Sequence, residues 1–221
     1  MPESNLISIV RREVSRRLSG QGAGHDMDHI DRVVSTAKVI QSREGGDPLV
    51  IELAALLHDV GDAKFHDGVE RSGEFSREIL EETMASSGSM GEPMIRHIVQ
   101  IVENISFRKR AEASPLSLEG QVVQDADRLD ALGAIGIVRT IEYGAVKGQC
   151  FFDPKNPHAK SGVSHFYEKL FRLRSLMNTE TGRQMAVRRE QFMQNFLRQF
   201  YDECGLESQS AIFEADPFMQ S

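Results

Sequence analysis

Ile51-Glu52-Leu53-Ala54-Ala55-Leu56-Leu57-His58-Asp59 is the stretch that decides how this chain reads. An apolar run, broken only by Glu52, ends in an imidazole and a carboxylate. Two ionisable side chains at the end of a buried helix are costly unless something compensates them. A divalent metal is a direct compensation for an adjacent histidine and aspartate. His29 lies upstream in Asp26-Met27-Asp28-His29, and Asp127 lies downstream in Asp125-Ala126-Asp127-Arg128-Leu129-Asp130. The order His, His-Asp, Asp predicts a four-ligand site assembled from separate helices. For the last ligand Asp125, Asp127 and Asp130 are all candidates on residue type alone.

Outward from the doublet the periodicity is helical. Leu6, Ile9, Val10, Val14 and Leu18 mark a first amphipathic helix, stopped by Gly20-Gln21-Gly22-Ala23-Gly24. No Lys-Ser/Thr follows those glycines, so they read as a turn and not as a phosphate loop. A second helix is expected over about 26–43, with His29 in its first turn. Asp47-Pro48 is a helix start, and the third helix is expected over 49–59. Being apolar nearly all round, it should be central. Gly61 breaks it, and 62–71 reads as a loop. A fourth helix opens at Ser72-Gly73-Glu74-Phe75, and a fifth at Pro93 with Met94, Ile95, Ile98, Val99, Val102 and Ile105 as its stripe. After a charged loop at 106–117, a sixth begins near Leu118. Its far end is left open by Gly133, Gly136, Gly144 and Gly148. A loop over 150–162 and two helices, roughly 164–177 and 179–203, complete the pattern. No strand pair is expected.

The chain of 221 residues, with 40% hydrophobic and 27% charged residues, suits one soluble domain with an ample core. We expect that domain to span 1–203, with its core at about 24–153, C-terminal helices at 164–203 and a flexible tail at 204–221. A net charge of −7 argues against a DNA or RNA partner, and an anionic substrate must be met by local cations or a metal. Two distant cysteines, Cys150 and Cys204, form no disulfide framework. Arg11, Arg12, Arg16 and Arg17 are not followed by an apolar leader segment, and no stretch approaches the ~20 apolar residues of a membrane span. A cytoplasmic protein without a membrane partner is the expectation.

Imidazole nitrogens with carboxylate oxygens suit Mn, Fe, Co, Ni or Zn better than Ca. The surroundings of the ligands, Leu-Leu-His-Asp-Val-Gly-Asp at the doublet and Gln-Asp-Ala-Asp-Arg-Leu-Asp-Ala-Leu-Gly-Ala-Ile-Gly from Gln124 to Gly136, resemble the HD superfamily of metal-dependent phosphohydrolases. The likeness spans about 24–153 and is strongest to small bacterial HD hydrolases, some of which look like nucleoside triphosphate pyrophosphohydrolases. It implies an all-α fold, a compact multi-helix HD-domain bundle. It also implies that His29, His58, Asp59 and Asp127 hold one divalent ion. Manganese is placed first, ahead of Mg, Fe, Co, Ni and Zn. Asp127 is chosen because it aligns with the Ala-Asp position of other HD families. Asp130 shares its helical face and is expected to orient a ligand or contact substrate. Asp125 is expected to be exposed.

An acidic protein acting on a polyphosphate needs cations near its metal. Lys64, in the loop leaving the doublet, is placed first, then Arg108 in Arg108-Lys109-Arg110 and Lys147 between Gly144 and Gly148. Arg128 adjoins Asp127. Asp62 is expected to steer or accept the proton of the attacking water, or simply to form the turn after Gly61. His97 is a possible ligand for a second ion, with a half-buried structural histidine as the plainer reading. The expected activity is hydrolysis of a (deoxy)nucleoside triphosphate to monophosphate and pyrophosphate. The alternatives are a nucleoside monophosphate phosphatase, or a non-catalytic nucleotide-sensing helical module. The Gly-Tyr-Pro signature of cyclic dinucleotide phosphodiesterases and the Glu-Asp of guanosine tetraphosphate hydrolases are missing. The expected partner is a small phosphorylated molecule, with the chain a monomer or a homodimer.

Overall fold

The computed structural model describes residues 3–19, 27–62, 68–87, 90–105, 115–156 and 159–206. Among the described residues the chain is all-α, with no strand. It forms two compact units, Met1–Asp127 and Arg128–Ser221. No helix among the described residues is long and apolar enough to cross a membrane.

The first unit is built around one short helix. α1 (Glu3–Leu18) buries Leu6, Val10, Val14 and Leu18, one residue per turn. α2 (Met27–Glu44) buries Ile30, Val33, Val34, Ala37 and Ile40, and also His29 in its first turn. α3 (Pro48–Leu57) starts as expected: the Asp47 carboxylate accepts from the Leu49 and Val50 amides at 2.9 and 3.2 Å, and Pro48 occupies the first turn. Seven of its ten residues are buried, and it packs on α1, α2 and α5, which makes it the centre of this unit. It ends at Leu57, two residues before the expected end, with His58 as its C-cap. The doublet therefore sits on a turn and not in the helix. α4 (Ser72–Ser87) packs on α1 and α5 (Glu92–Asn104).

Gly61 closes the neck of the loop that leaves the doublet. The Arg71 amide donates to the Gly61 carbonyl at 2.9 Å, and a Cβ on Gly61 would meet the Arg71–Ser72 backbone at 2.5–2.7 Å. Only glycine admits that approach.

α6 (Leu118–Asp130) buries Val122, Val123, Ala126 and Leu129. Its start is tied to α3, since the Asp47 amide donates to the Glu119 carboxylate at 3.2 Å. Its middle is held where Gln124 donates to the Ile105 carbonyl at 3.1 Å.

In the second unit the glycine-rich segment that left α6 open is a helix of its own, α7 (Gly133–Lys147). Gly133 enters it at φ 75°, and Gly148 caps it in the left-handed region at φ 63°. Gly136 and Gly144 face inward, where a Cβ would meet the Ala131 and Gln149 carbonyl oxygens at 2.2 and 3.0 Å. α8 (Gly162–Glu168) opens on a reciprocal Ser161–Ser164 capping box. The helix expected over 164–177 is broken at Lys169, whose φ of −134° and ψ of −54° are not helical. Two 3-10 turns, Leu170–Arg172 and Arg174–Leu176, follow. They keep Leu170, Leu173 and Met177 buried. α9 (Glu180–Glu203), capped by Thr179, packs on α7.

Candidate metal centre

The turn after α3 places the doublet. The Val60 amide donates to the Leu57 carbonyl at 3.1 Å, and the Asp62 amide to the Asp59 carbonyl at 3.3 Å. His58 folds back on its own helix, with Nδ1 2.8 Å from the Ala55 carbonyl. A carbonyl only accepts, so Nδ1 carries the proton. In neutral His58, Nε2 is then a bare lone pair. One contact satisfies a terminal carbonyl of α3 and fixes the tautomer a metal ligand needs.

That lone pair points into a cluster of four donors. His29 Nε2 lies 3.1 Å from His58 Nε2 and 3.5 Å from Asp59 Oδ2. Asp127 Oδ1 lies 3.6 Å from His29 Nε2 and 3.7 Å from His58 Nε2, and Asp59 Oδ1 is also 3.7 Å from His58 Nε2. The two imidazoles meet edge to face at 64° with centroids 5.1 Å apart. An ion bound at about 2.0–2.2 Å places neighbouring donors roughly 2.8–3.6 Å apart. The spacings, 3.1–3.7 Å, run from within that range to just beyond it. His29, His58 and Asp59 form a group able to hold a metal ion, and Asp127 stands within reach of both imidazoles. The residues fit a divalent cation, which would offset two carboxylates placed among buried rings.

Exposure is graded across the cluster. The His29 and His58 side chains are 2% and 3% exposed, Asp59 15% and Asp127 43%. The imidazoles form the floor, and the open side lies at Asp127.

The remaining expected residues are distributed as follows. Asp125 is fully buried, which corrects the expectation that it is exposed. Asp127, two positions on, points its carboxylate at the histidines. Asp62 follows Asp59 in the same turn. Lys64 and Arg108 lie outside the described residues. Asp130 belongs to the second unit, where it is buried and its carboxylate accepts from Arg139. Lys147 is exposed at the end of α7, its ammonium 6.0 Å from the centre of the Tyr143 ring. Arg128 donates to the Leu176 carbonyl and Arg189 to the Leu129 carbonyl. His97 lies 2.9 Å from the Ser117 hydroxyl and 3.8 Å from the Glu119 carboxylate, in keeping with the structural reading. The Ala55 carbonyl that orients His58 was not anticipated. Its signal was present in the spacing, because a histidine capping a helix reaches the carbonyl three residues back.

Comparison with known proteins agrees with this geometry. The HD domain family model matches residues 27–132, which include all four donors. The YpgQ protein of Bacillus subtilis is 36% identical over 201 residues, covering 90% of this chain and 94% of the relative. The crystal structure of YpgQ in complex with ADP has a TM-score of 0.75 at 34% identity and covers 92% of this chain and 97% of that one. An HD-superfamily hydrolase from Bacillus thuringiensis has a TM-score of 0.75 at 37% identity, covering 92% and 98%. With the HD domain model matched and relatives aligned nearly end to end, this chain belongs to the HD-domain family.

Proposed function

We propose that the protein is a divalent-metal-dependent phosphohydrolase that converts (deoxy)nucleoside triphosphate to monophosphate and pyrophosphate. The observation that carries this reading is the cluster itself. Two imidazoles and two carboxylates from three parts of the chain gather with each carboxylate within 3.7 Å of an imidazole nitrogen, and the more exposed side lies at Asp127. When bound there, a divalent cation supplies Lewis acidity to a phosphoryl oxygen and to water. Similarity to YpgQ, solved with ADP, and to an HD-superfamily hydrolase supports a nucleotide as the ligand class and hydrolysis as the reaction.

The chain's own residues supply the rest. His29 and His58 provide two buried lone pairs, the second aimed by Ala55. Asp59 and Asp127 provide the negative charge that selects a cation. Asp62 is assigned to the proton of the attacking water, because its backbone is tied to that of Asp59 in one turn. Lys64, Arg108 and Lys147 are assigned to the phosphates, where cations offset charge developing on the leaving group. Asp130, whose carboxylate accepts from Arg139, is assigned to orienting a ligand or contacting substrate.

The test is a panel of nucleotides with Mn, Mg, Co, Ni, Fe or Zn, with products identified by ion-exchange chromatography. Pyrophosphate and monophosphate in equal amounts are expected. Orthophosphate as the product from monophosphates would make the protein a phosphatase. Nucleotide binding without product under any metal would make it a sensor.

A further inference from the structure

The helix that carries Asp127 is fastened at its opposite end. In the first turn of α6, three helices meet at one carboxylate. Glu119 Oε1 accepts from the Asp47 amide, at the start of α3, at 3.2 Å. The Ser117 hydroxyl donates to the same carboxylate. That uses the one proton Ser117 has, so its oxygen accepts from its other neighbours. These are the Gly120 amide at 3.3 Å and His97 Nε2, on α5, at 2.9 Å. His97 therefore carries a proton on Nε2, which also lies 3.8 Å from Glu119 Oε2. Burial alone would raise the Glu119 pKa. Hydrogen bonds from its own amide, the Asp47 amide and Ser117, with His97 nearby, hold it below the ordinary value instead.

α3 and α6 both start at this joint, and both reach the metal centre. Asp47 to His58 spans about 16 Å of helix and Glu119 to Asp127 about 12 Å. There Asp127 Oδ1 lies 3.7 Å from His58 Nε2. The two helices thus run in the same direction, which sets their dipoles side by side. A carboxylate where both begin, and a cation where α3 ends, each offset that repulsion. His29, His58 and Asp59 are placed by α2 and the turn after α3, whereas Asp127 depends on α6. Its side chain is 43% exposed, so little packing around the carboxylate fixes it.

We propose that Glu119 is a positioning residue for the metal centre: with Ser117 and His97 it sets how far α6 advances along α3, and so where Asp127 stands relative to His58. The inference rests on the metal-binding reading of His29, His58, Asp59 and Asp127.

Mn binding to the full chain, followed by isothermal titration calorimetry and by electron paramagnetic resonance of the bound ion, tests it. Glu119→Ala should weaken binding by about tenfold, the loss typical of a group that orients a ligand. The zero-field splitting of bound Mn should change, while the circular dichroism of the metal-free chain does not. His97→Leu should also weaken binding, and His97→Gln, which keeps an N–H donor, should restore it. In an Asp127→Asn chain, Glu119→Ala should cost almost nothing further, because the donor it positions is already impaired. Should Glu119→Ala fail to fold, Ser117→Ala removes a single hydroxyl and should cost roughly threefold, again only while Asp127 is present. Wild-type affinity in Glu119→Ala overturns the positioning role alone, as do equal losses with and without Asp127. A wild-type chain that binds no Mn overturns the metal centre, and this inference with it.

Discussion

His29 and His58, twenty-nine residues apart in sequence, bring their Nε2 atoms to 3.1 Å from each other in the interior of the first unit. With its proton held on Nδ1 by Ala55, His58 offers Nε2 only as an acceptor. Without a cation, His29 has to donate to it, which spends one lone pair of the pair. With a cation between them, both lone pairs are used. Through this contact a bound cation would stabilise the fold locally.

Replacing His58 with Gln should therefore lower affinity for Mn by at least a hundredfold, while the chain stays helical. Asp127→Asn, at the more exposed corner, should cost at least tenfold. Isothermal titration calorimetry with circular dichroism reads both. Affinity unchanged in His58→Gln would remove it from the ligand set.

Removing metal should lower the melting temperature. An ion held at a hundred times its dissociation constant stabilises by about 2.7 kcal/mol. For a chain of this length that corresponds to roughly 5–10 °C. Differential scanning fluorimetry with EDTA, then with excess Mn, gives the shift and its recovery. No difference between the two states would mean that no ion binds the folded chain in preference to the unfolded one.

Gly61→Ala places a methyl group where the Arg71–Ser72 backbone already lies 2.5–2.7 Å away. The two strands of the neck must separate, at about 1–3 kcal/mol. Because the same turn carries Asp59 and Asp62, a loss of Mn affinity should accompany the loss of stability. A variant as stable as wild type, with normal Mn affinity, would show that the neck is not what holds the doublet.

Glu190 is 5% exposed, its Oε2 has no hydrogen-bond partner, and Arg174 is 3.3 Å from Oε1. Burial raises its pKa, against a smaller lowering by Arg174. The fold thus favours the protonated carboxyl. Its contribution is fully present below the ordinary carboxyl pKa and is lost as pH rises through the raised one. Glu190→Gln should gain melting temperature relative to wild type between pH 5 and 8, with little difference at pH 4.5. A gap that narrows as pH rises would reverse the assignment.

The site was more legible than the helices around the second unit, for physical reasons. An apolar run ending in His-Asp, with Asp47-Pro48 before it and Gly61 after it, leaves few ways to fold, and α3 forms nearly as read. That His29, His58, Asp59 and Asp127 come together was legible, because ionisable groups beside an apolar run need a common partner. α7 was not, because glycine normally argues against helix. Here Gly136 and Gly144 are tolerated because they admit backbone carbonyls that a Cβ would exclude. The break at Lys169 was hidden for a related reason, since Leu170, Leu173 and Met177 keep helical spacing through two 3-10 turns. The burial of Asp125 was equally invisible, because a carboxylate in the charged run Asp125-Ala126-Asp127-Arg128 reads as surface.

The most direct test is an anomalous difference map, recorded at the manganese absorption edge, from crystals grown with Mn. One peak bounded by His29 Nε2, His58 Nε2, Asp59 and Asp127 is predicted. A map with no density among those four groups, from protein that hydrolyses nucleotide in the same Mn buffer, would contradict the account.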